Sequence, residues 1–266
     1  MYSMSRRALV EIFGTAALVL VGPGAVIATL TLAGKATPAV TEGDLLGIAI
    51  AFGFIIMVLV YAIGKVSGCH INPAVTFGLA VTKRMPWRDV PLYLISQFIG
   101  AVIGAFGVWG VFGANAVTLG MGQTHFAADA SATLYLQAAL AEALGTGILM
   151  FAILGITDSR SPGMLAGIVI GGAIVANILI FGPLTGASLN PARALGPELV
   201  QAIAGGTTFW TQYLPVYLVP GLVGAAGAAF LYDFMANPRV VEEPVMGAVS
   251  HEDTLSEDSR EVPKGQ

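Results

Sequence analysis

The sequence predicts an all-α membrane protein: six transmembrane helices plus two re-entrant half-helices, arranged as an inverted 3+3 repeat. Three observations lead there. Of 266 residues, 56% are hydrophobic and only 11% charged, and the mean hydropathy is +0.80, whereas a soluble domain carries about 25% charged residues. Six apolar stretches come close to or exceed the ~20 residues that cross a bilayer as a helix. Finally, "SGCHINPAVTFG" at 67–78 has a counterpart in "TGASLNPARALG" at 185–196, and both open segments too short to span.

The spans are read at 8–32, 45–63, 90–112, 134–156, 164–181 and 213–234. The first is too long for a secretory leader, lacks a clear small-residue cleavage site, and its pattern returns later in the chain. Its "VEIFGTAALVL" (10–20) matches "AEALGTGILMF" (141–151) in the fourth span. The third and sixth share a looser match, "FIGAVIGAF" (98–106) with "LVGAAGAAF" (222–230). Half-spans at 72–81 and 190–202 fall between these pairs in the same order. About 11 helical residues rise ~17 Å against a ~30 Å hydrocarbon core, so each reaches halfway. Three spans per half is an odd number, so the second half (about 134–235) enters the membrane upside down relative to the first (about 6–112). That arrangement puts a functional site at the repeat interface near the midplane. Gly100, Gly104, Gly221, Gly224 and Gly227 stand at helical spacing and suit close helix packing.

Basic residues set the orientation. Arg6, Arg7, Lys65, Lys83, Arg84, Arg88, Arg160 and Arg239 fall on the side of the N-terminus, and only Lys35 falls in a loop on the other. Cytoplasmic loops carry the excess of Lys and Arg, so both termini are expected in the cytoplasm and the chain in the cell (inner or plasma) membrane. The channel-forming domain is read as 1–235. Seven of the 16 acids (Glu242, Glu243, Glu252, Asp253, Glu257, Asp258 and Glu261) crowd the last 25 residues, so 236–266 reads as a disordered, acidic, cytoplasmic tail. No basic patch points to nucleic acid. Cys69 is the one cysteine, which excludes an intramolecular disulfide.

The paired motifs have a physical reading. Asn is a favoured N-cap and Pro a favoured first helical residue, so Asn72-Pro73-Ala74 and Asn190-Pro191-Ala192 each start a helix. Gly68 and Gly186 permit the irregular backbone before them. Non-helical backbone at membrane depth is tolerated only where protein buries it or water wets it. Each motif is therefore expected to run extended to the midplane and return as a half-helix. Inversion brings the two N-termini together, each carrying roughly +0.5 charge from aligned peptide dipoles. The midplane becomes positive, which opposes cations and protons and leaves neutral molecules alone. If each Asn oxygen caps its own helix, the NH₂ groups stay free as donors. Carbonyls of Gly68, Cys69, His70, Gly186, Ala187 and Ser188 are the candidate acceptors along the path. Arg193, one turn into its half-helix, is a functional candidate because an ionised residue so deep reaches water only through a pore.

With Glu11, Glu142 and the two motifs, the chain resembles the aquaporins of the major intrinsic protein family over roughly residues 6–235. The resemblance implies one pore per subunit, a homotetramer, and conduction of water and small neutral solutes. It also implies an outer constriction, which places Phe52, Ile178, Ala187 and Arg193 in the selectivity filter. Water-selective members usually have His where Ile178 stands. Glycerol facilitators usually have Trp, a small-residue pair, and Asp directly after the Arg with a basic residue four positions on, where this chain has Ala194 and Glu198. Phe-Ile-Ala-Arg is closest to archaeal-type aquaporins and some plant subfamilies. Good water flow with some passage of glycerol, peroxide or ammonia is the expectation.

Glu11 and Glu142 are intramembrane carboxylates. A proton relay is one reading, and the family implies the other, a buried brace for the loop of each half. His70 lies on the cytoplasmic approach and reads as a pore-lining or loop-bracing residue, with a pH gate as the alternative. Cys69 and His70 supply too few ligands for a metal, His125 and His251 have no nearby partners, and no cofactor is implied. Two other function classes are weighed. An ion-coupled transporter also uses inverted repeats and broken helices, but would place coupling ligands where this chain offers amides and backbone. An enzyme would need a nucleophile–base pair or a metal cluster, and neither is evident.

Overall fold

The computed structural model describes residues 2–34, 40–127 and 129–236. Lys35, Arg239, His251 and the seven tail acids lie outside that set. The described chain up to Met235 belongs to one compact unit.

Nine helices are described: α1 (Met4–Leu32), α2 (Glu42–Ser67), α3 (Pro73–Val81), α4 (Val90–Phe112), a short α5 (Ala114–Thr118), α6 (Ala132–Thr157), α7 (Ala166–Thr185), α8 (Pro191–Ile203) and α9 (Trp210–Ala236). Six are long and apolar enough to cross a membrane, and α3 and α8 are the two half-helices. Local chemistry sets the ends. Ser3 and Ser131 cap α1 and α6, and a Thr41–Asp44 capping box starts α2. Asn72 and Asn190 cap α3 and α8, each followed by Pro at the first helical position.

Five of the six spans run longer than the sequence reading placed them, α1 and α6 by a few residues from their serine caps. α2 begins at Glu42 because the capping box supplies its orphan donors, and it continues past Ile63 to Ser67. α7 passes through Pro183 to Thr185. Both end where Gly68 and Gly186 turn left-handed, at φ 89° and 77°. α9 begins at Trp210, with a π-helical stretch, Tyr213–Leu218, around Pro215. The wider turn suits a residue that has no backbone donor.

Glycines set the helix spacing. On α4, a Cβ at Gly100 would lie 2.3 Å from the Ile12 carbonyl oxygen of α1, and one at Gly104 2.4 Å from that of Ala16. In the second repeat, a Cβ at Gly224 of α9 would lie 2.0 Å from the Ala143 carbonyl oxygen of α6. α2 and α7 touch each other through equivalent residues: a Cβ at Gly53 would meet Gly171 O at 2.7 Å, and one at Gly171 would meet Gly53 O at 2.5 Å. Both glycines precede their motif asparagine by the same interval, so this contact is self-complementary and joins the two repeats. Outside lie stripes of exposed apolar side chains, such as Ile95, Ile99 and Ile103 on α4 and Leu136, Leu140, Leu144 and Ile148 on α6. Apolar outward faces are what hydrocarbon requires, with small residues inside letting backbones meet.

Gly224→Ala is expected to lower the thermal unfolding midpoint in detergent, since overpacking costs about 1–3 kcal/mol. Gly227→Ala on the same helix, where a Cβ would meet nothing within 4 Å, is expected to leave it unchanged. Equal midpoints for the two variants would contradict this packing.

Candidate functional site

The loops between α2 and α3 and between α7 and α8 are built alike. Each contains two non-glycine residues at positive φ: Cys69 (51°) and Ile71 (42°) in the first, Ala187 (43°) and Leu189 (55°) in the second. Such backbone is strained and persists only when its surroundings over-determine it. A buried carboxylate does so in each repeat. Glu11 Oε1 accepts hydrogen bonds from Ser67 Oγ (2.6 Å) and His70 N (2.9 Å), and its Oε2 accepts from Ile71 N (2.6 Å) and Gln97 Nε2 (2.9 Å). Glu142 Oε1 accepts from Thr185 Oγ1 (2.6 Å) and Ser188 N (2.9 Å), and its Oε2 from Leu189 N (2.8 Å). A tyrosine closes each loop from behind: Tyr93 OH donates to Ser67 O (2.6 Å) and Tyr217 OH to Thr185 O (3.0 Å).

The half-helices meet tip to tip. Asn72 Oδ1 accepts from Ala74 N (2.9 Å), and Asn190 Oδ1 from Ala192 N (3.0 Å) and Arg193 N (3.2 Å). The amide nitrogens are not wholly free, which corrects the sequence reading. Asn72 Nδ2 donates to Leu189 O, and Asn190 Nδ2 to Ile71 O, both at 2.8 Å. Each asparagine thus ties its own helix start to the other repeat's loop, and each keeps one of its two amide hydrogens.

One cavity of about 570 Å³ runs past this junction. Tyr61, Lys65, Thr157 and Gly163 line one end, Asn72 and Asn190 the middle, and Phe52, Ile178, Ala187 and Arg193 the other. Gly68, Cys69, His70 and Ser188 also line it. Gly186 does not; it packs against Thr124. Among the described residues no donor reaches the carbonyls of Gly68, Cys69, His70, Ala187 or Ser188. Pro73, Ala74, Pro191 and Ala192 are buried behind the asparagines. His70 Nδ1 lies 3.1 Å from Thr76 Oγ1, and its ring tilts against Tyr93 at 4.9 Å, so it lines the cavity and braces the loop at once. Arg193 is 3% exposed. Its Nη1 donates to Gly122 O (3.0 Å), and its guanidinium carbon lies 5.1 Å from the centre of the Phe52 ring. His125, in the loop before α6, packs on Phe209, and burial lowers its pKa. Among the described residues no cluster of three metal-ligating side chains occurs.

This pairing of loops across an inverted repeat agrees with a whole-chain comparison. The profile described as Major intrinsic protein matches residues 1–232. The chain belongs to the major intrinsic protein family. Aquaporin AqpM of Methanothermobacter thermautotrophicus is 41% identical over 249 residues, covering 89% of this chain and all of that protein. Aquaporin NIP1-1 of Zea mays is 36% identical over 96% of this chain and 82% of its own length. The X-ray structure of the aquaglyceroporin from Plasmodium falciparum superposes with a TM-score of 0.75 at 28% identity, covering 87% of this chain and 96% of that one. The aquaporin fold of the chain is therefore shared with an archaeal protein, a plant protein and a parasite protein.

Sequence reasoning missed Tyr93, Tyr217 and Gln97. The tyrosines were reachable: each lies seven residues before its packing glycine, Gly100 or Gly224, so extending the weak repeat match backwards would have paired them. Gln97 has no polar partner in the second repeat, where Gly221 stands instead, and no pattern marked it.

Glu142→Gln presents an amide where three donors converge, and hydrogen bonds to a charged group are worth about 1.5–3 kcal/mol each. The variant is expected to melt at lower temperature in detergent and to lose most of its water permeability in vesicles. Retention of both would remove the carboxylate from its bracing role. Cys69 lines the cavity, so a mercurial is expected to inhibit flux in the native chain and to have no effect on Cys69→Ser.

Proposed function

We propose that this chain is a passive multi-pass membrane channel that conducts water and small uncharged solutes and excludes ions and protons. The observation that carries this is the pair of half-helix N-termini tied to each other across the cavity by Asn72 and Asn190. Two aligned dipole ends facing the same point make the middle of the path electropositive without an ionised group there. A permeating oxygen can accept from the remaining amide hydrogens. It can be handed on by the unpaired carbonyls to either side. A cation meets the dipole ends and then Arg193, which opposes it again.

Solute choice belongs to Phe52, Ile178, Ala187 and Arg193. Arg193 gives donors on one side. Ile178 and Ala187 give an apolar, roomier wall that a His would have made polar and tight. That combination supports water first, with glycerol, peroxide or ammonia following. The relatives named aquaporin and the structural neighbour titled aquaglyceroporin bracket the same range.

An ion-coupled transporter is disfavoured by the carboxylates themselves. Glu11 holds four donors and Glu142 three, and neither carboxylate lines the cavity where a coupling ion would pass. The basic residues Arg6, Arg7, Lys65, Lys83, Arg84, Arg88 and Arg160 support cytoplasmic termini in a cell membrane, and the family supports a homotetramer of four separate pores.

Stopped-flow measurement in proteoliposomes tests the reading. Water flux is expected with a low activation energy and no dependence on an ion gradient, with slower glycerol flux. Glycerol flux without water flux would contradict it. Arg193→Ala is expected to raise the glycerol-to-water ratio and the proton leak together. If both stayed at the native level, Arg193 would not line the path.

A further inference from the structure

α1 carries "VGPG" at 21–24, and none of these residues lines the cavity. Gly22 touches a residue that does, and Pro23 touches the residue that holds its partner. A Cβ at Gly22 would lie 2.3, 2.5 and 2.7 Å from Cε1, Cζ and Cδ1 of Phe52. The ring is therefore seated directly on the bare backbone of Gly22, with the Arg193 guanidinium 5.1 Å from its centre. The next residue, Pro23, backs the opposite partner. Gly122 stands at φ 68°, and a Cβ there would lie 2.7 Å from Pro23 O and 2.8 Å from Pro23 Cα and Cβ. The carbonyl of that same Gly122 accepts the Arg193 Nη1 hydrogen bond at 3.0 Å. One dipeptide of α1 thus supports both members of the Phe52–Arg193 contact.

Two observations separate this from ordinary helix packing. Gly100, Gly104 and Gly224 abut backbone carbonyls of neighbouring helices, whereas the atoms nearest a Cβ at Gly22 are all in the ring of one cavity-lining side chain. The other repeat also dispenses with a glycine here. Glu11 and Gly14 correspond to Glu142 and Gly145 at a constant interval, and the same interval carries Gly22 to Ile153, itself a cavity-lining residue. The scaffold accepts a large side chain at this position, so the glycine serves something particular to the first repeat.

We propose that Gly22 and Pro23 are positioning residues that set the touching Phe52–Arg193 pair against Ile178 and Ala187 across the cavity, and with it the solute size cut-off. The inference rests on the channel reading above. A methyl group at residue 22 cannot coexist with the ring where it stands, because real Cβ contacts below 3.0 Å essentially never occur. The ring is held between α1 and the cavity, so it yields into the cavity.

The test is flux of water, formamide, urea and glycerol through proteoliposomes of the native chain, Gly22→Ala, Phe52→Leu and the double variant, with Gly24→Ala as control. Gly24 borders only Val108 and Phe112, at 3.8 and 3.9 Å from a built Cβ. Because pore diameter governs passage of the larger solutes, Gly22→Ala is expected to cut the glycerol-to-water ratio about tenfold while water falls about twofold or less. In the Phe52→Leu background the same alanine is expected to change nothing, because the obstructing ring is gone. Gly24→Ala should behave as native. A native ratio in Gly22→Ala, or a loss that persists undiminished in the Phe52→Leu background, would overturn the proposal. If Gly22→Ala fails to fold, whether or not the double variant folds, the ring has not yielded into the cavity, Gly22 is a packing residue and the proposal falls. A native chain that conducts no water at all defeats the channel reading instead.

Discussion

Everything at the centre of this molecule depends on two buried carboxylates holding strained backbone in place. Cys69, Ile71, Ala187 and Leu189 sit in a left-handed conformation that side-chain-bearing residues rarely adopt. Left to themselves, these loops would relax, and their carbonyls would turn towards internal partners. Glu11 and Glu142 prevent that by collecting the backbone N–H groups of His70, Ile71, Ser188 and Leu189. A carboxylate is the suitable group because it only accepts, and it has enough lone pairs to gather several donors at one point. With the N–H groups pulled one way, the carbonyls of Gly68, Cys69, His70, Ala187 and Ser188 are left without protein donors.

The asparagine exchange then converts two loops into one structure. Each Asn side chain caps its own half-helix and bonds the opposing loop, so neither half-helix can shift without breaking bonds in both repeats. Ion exclusion follows from the same geometry. The dipole ends stay aligned because they are tied together, and backbone dipoles do not themselves titrate. Arg193 adds a formal charge at a separate level, held by Gly122 O and the Phe52 ring.

Much of this was legible in the sequence because it rests on short-range rules. Asn-Pro-Ala states a helix start by capping chemistry alone, and its repetition between matched spans states the inversion. Glu11, Glu142 and Arg193 stand out because a charge inside an apolar run demands a partner. The span ends were less legible. α2 and α7 continue to Ser67 and Thr185 because those hydroxyls donate to the carboxylates, a tertiary reason that hydropathy does not register. The asparagine cross-bonds were also out of reach. Sequence gives the donors of Asn72 and Asn190, but only the meeting of the two repeats supplies Leu189 O and Ile71 O as acceptors. Gly22 was invisible for the same reason, since a glycine in a glycine-rich membrane helix carries no mark of what it touches.

Where the two repeats agree and where they differ divides the molecule by role. The braces agree: Glu11 with Glu142, Ser67 with Thr185, Tyr93 with Tyr217, Gly53 with Gly171, Gly100 with Gly224. These positions fix how helices and loops pack, and packing must work in both halves. The cavity residues disagree. The interval that relates the two asparagines pairs Arg193 with Val75, Phe52 with Ile170, and Cys69 and His70 with Ala187 and Ser188. A duplicated scaffold with identical linings would hold two equivalent constrictions, one towards each face. Breaking the symmetry at the lining puts Phe52 and Arg193 on one side of the asparagines, with Ile170 and Val75 at the equivalent positions of the other repeat. The pairing of Gly22 with Ile153 belongs to this second group, although neither backbone nor motif distinguishes it, which is why its reading follows from Phe52 and not from the fold.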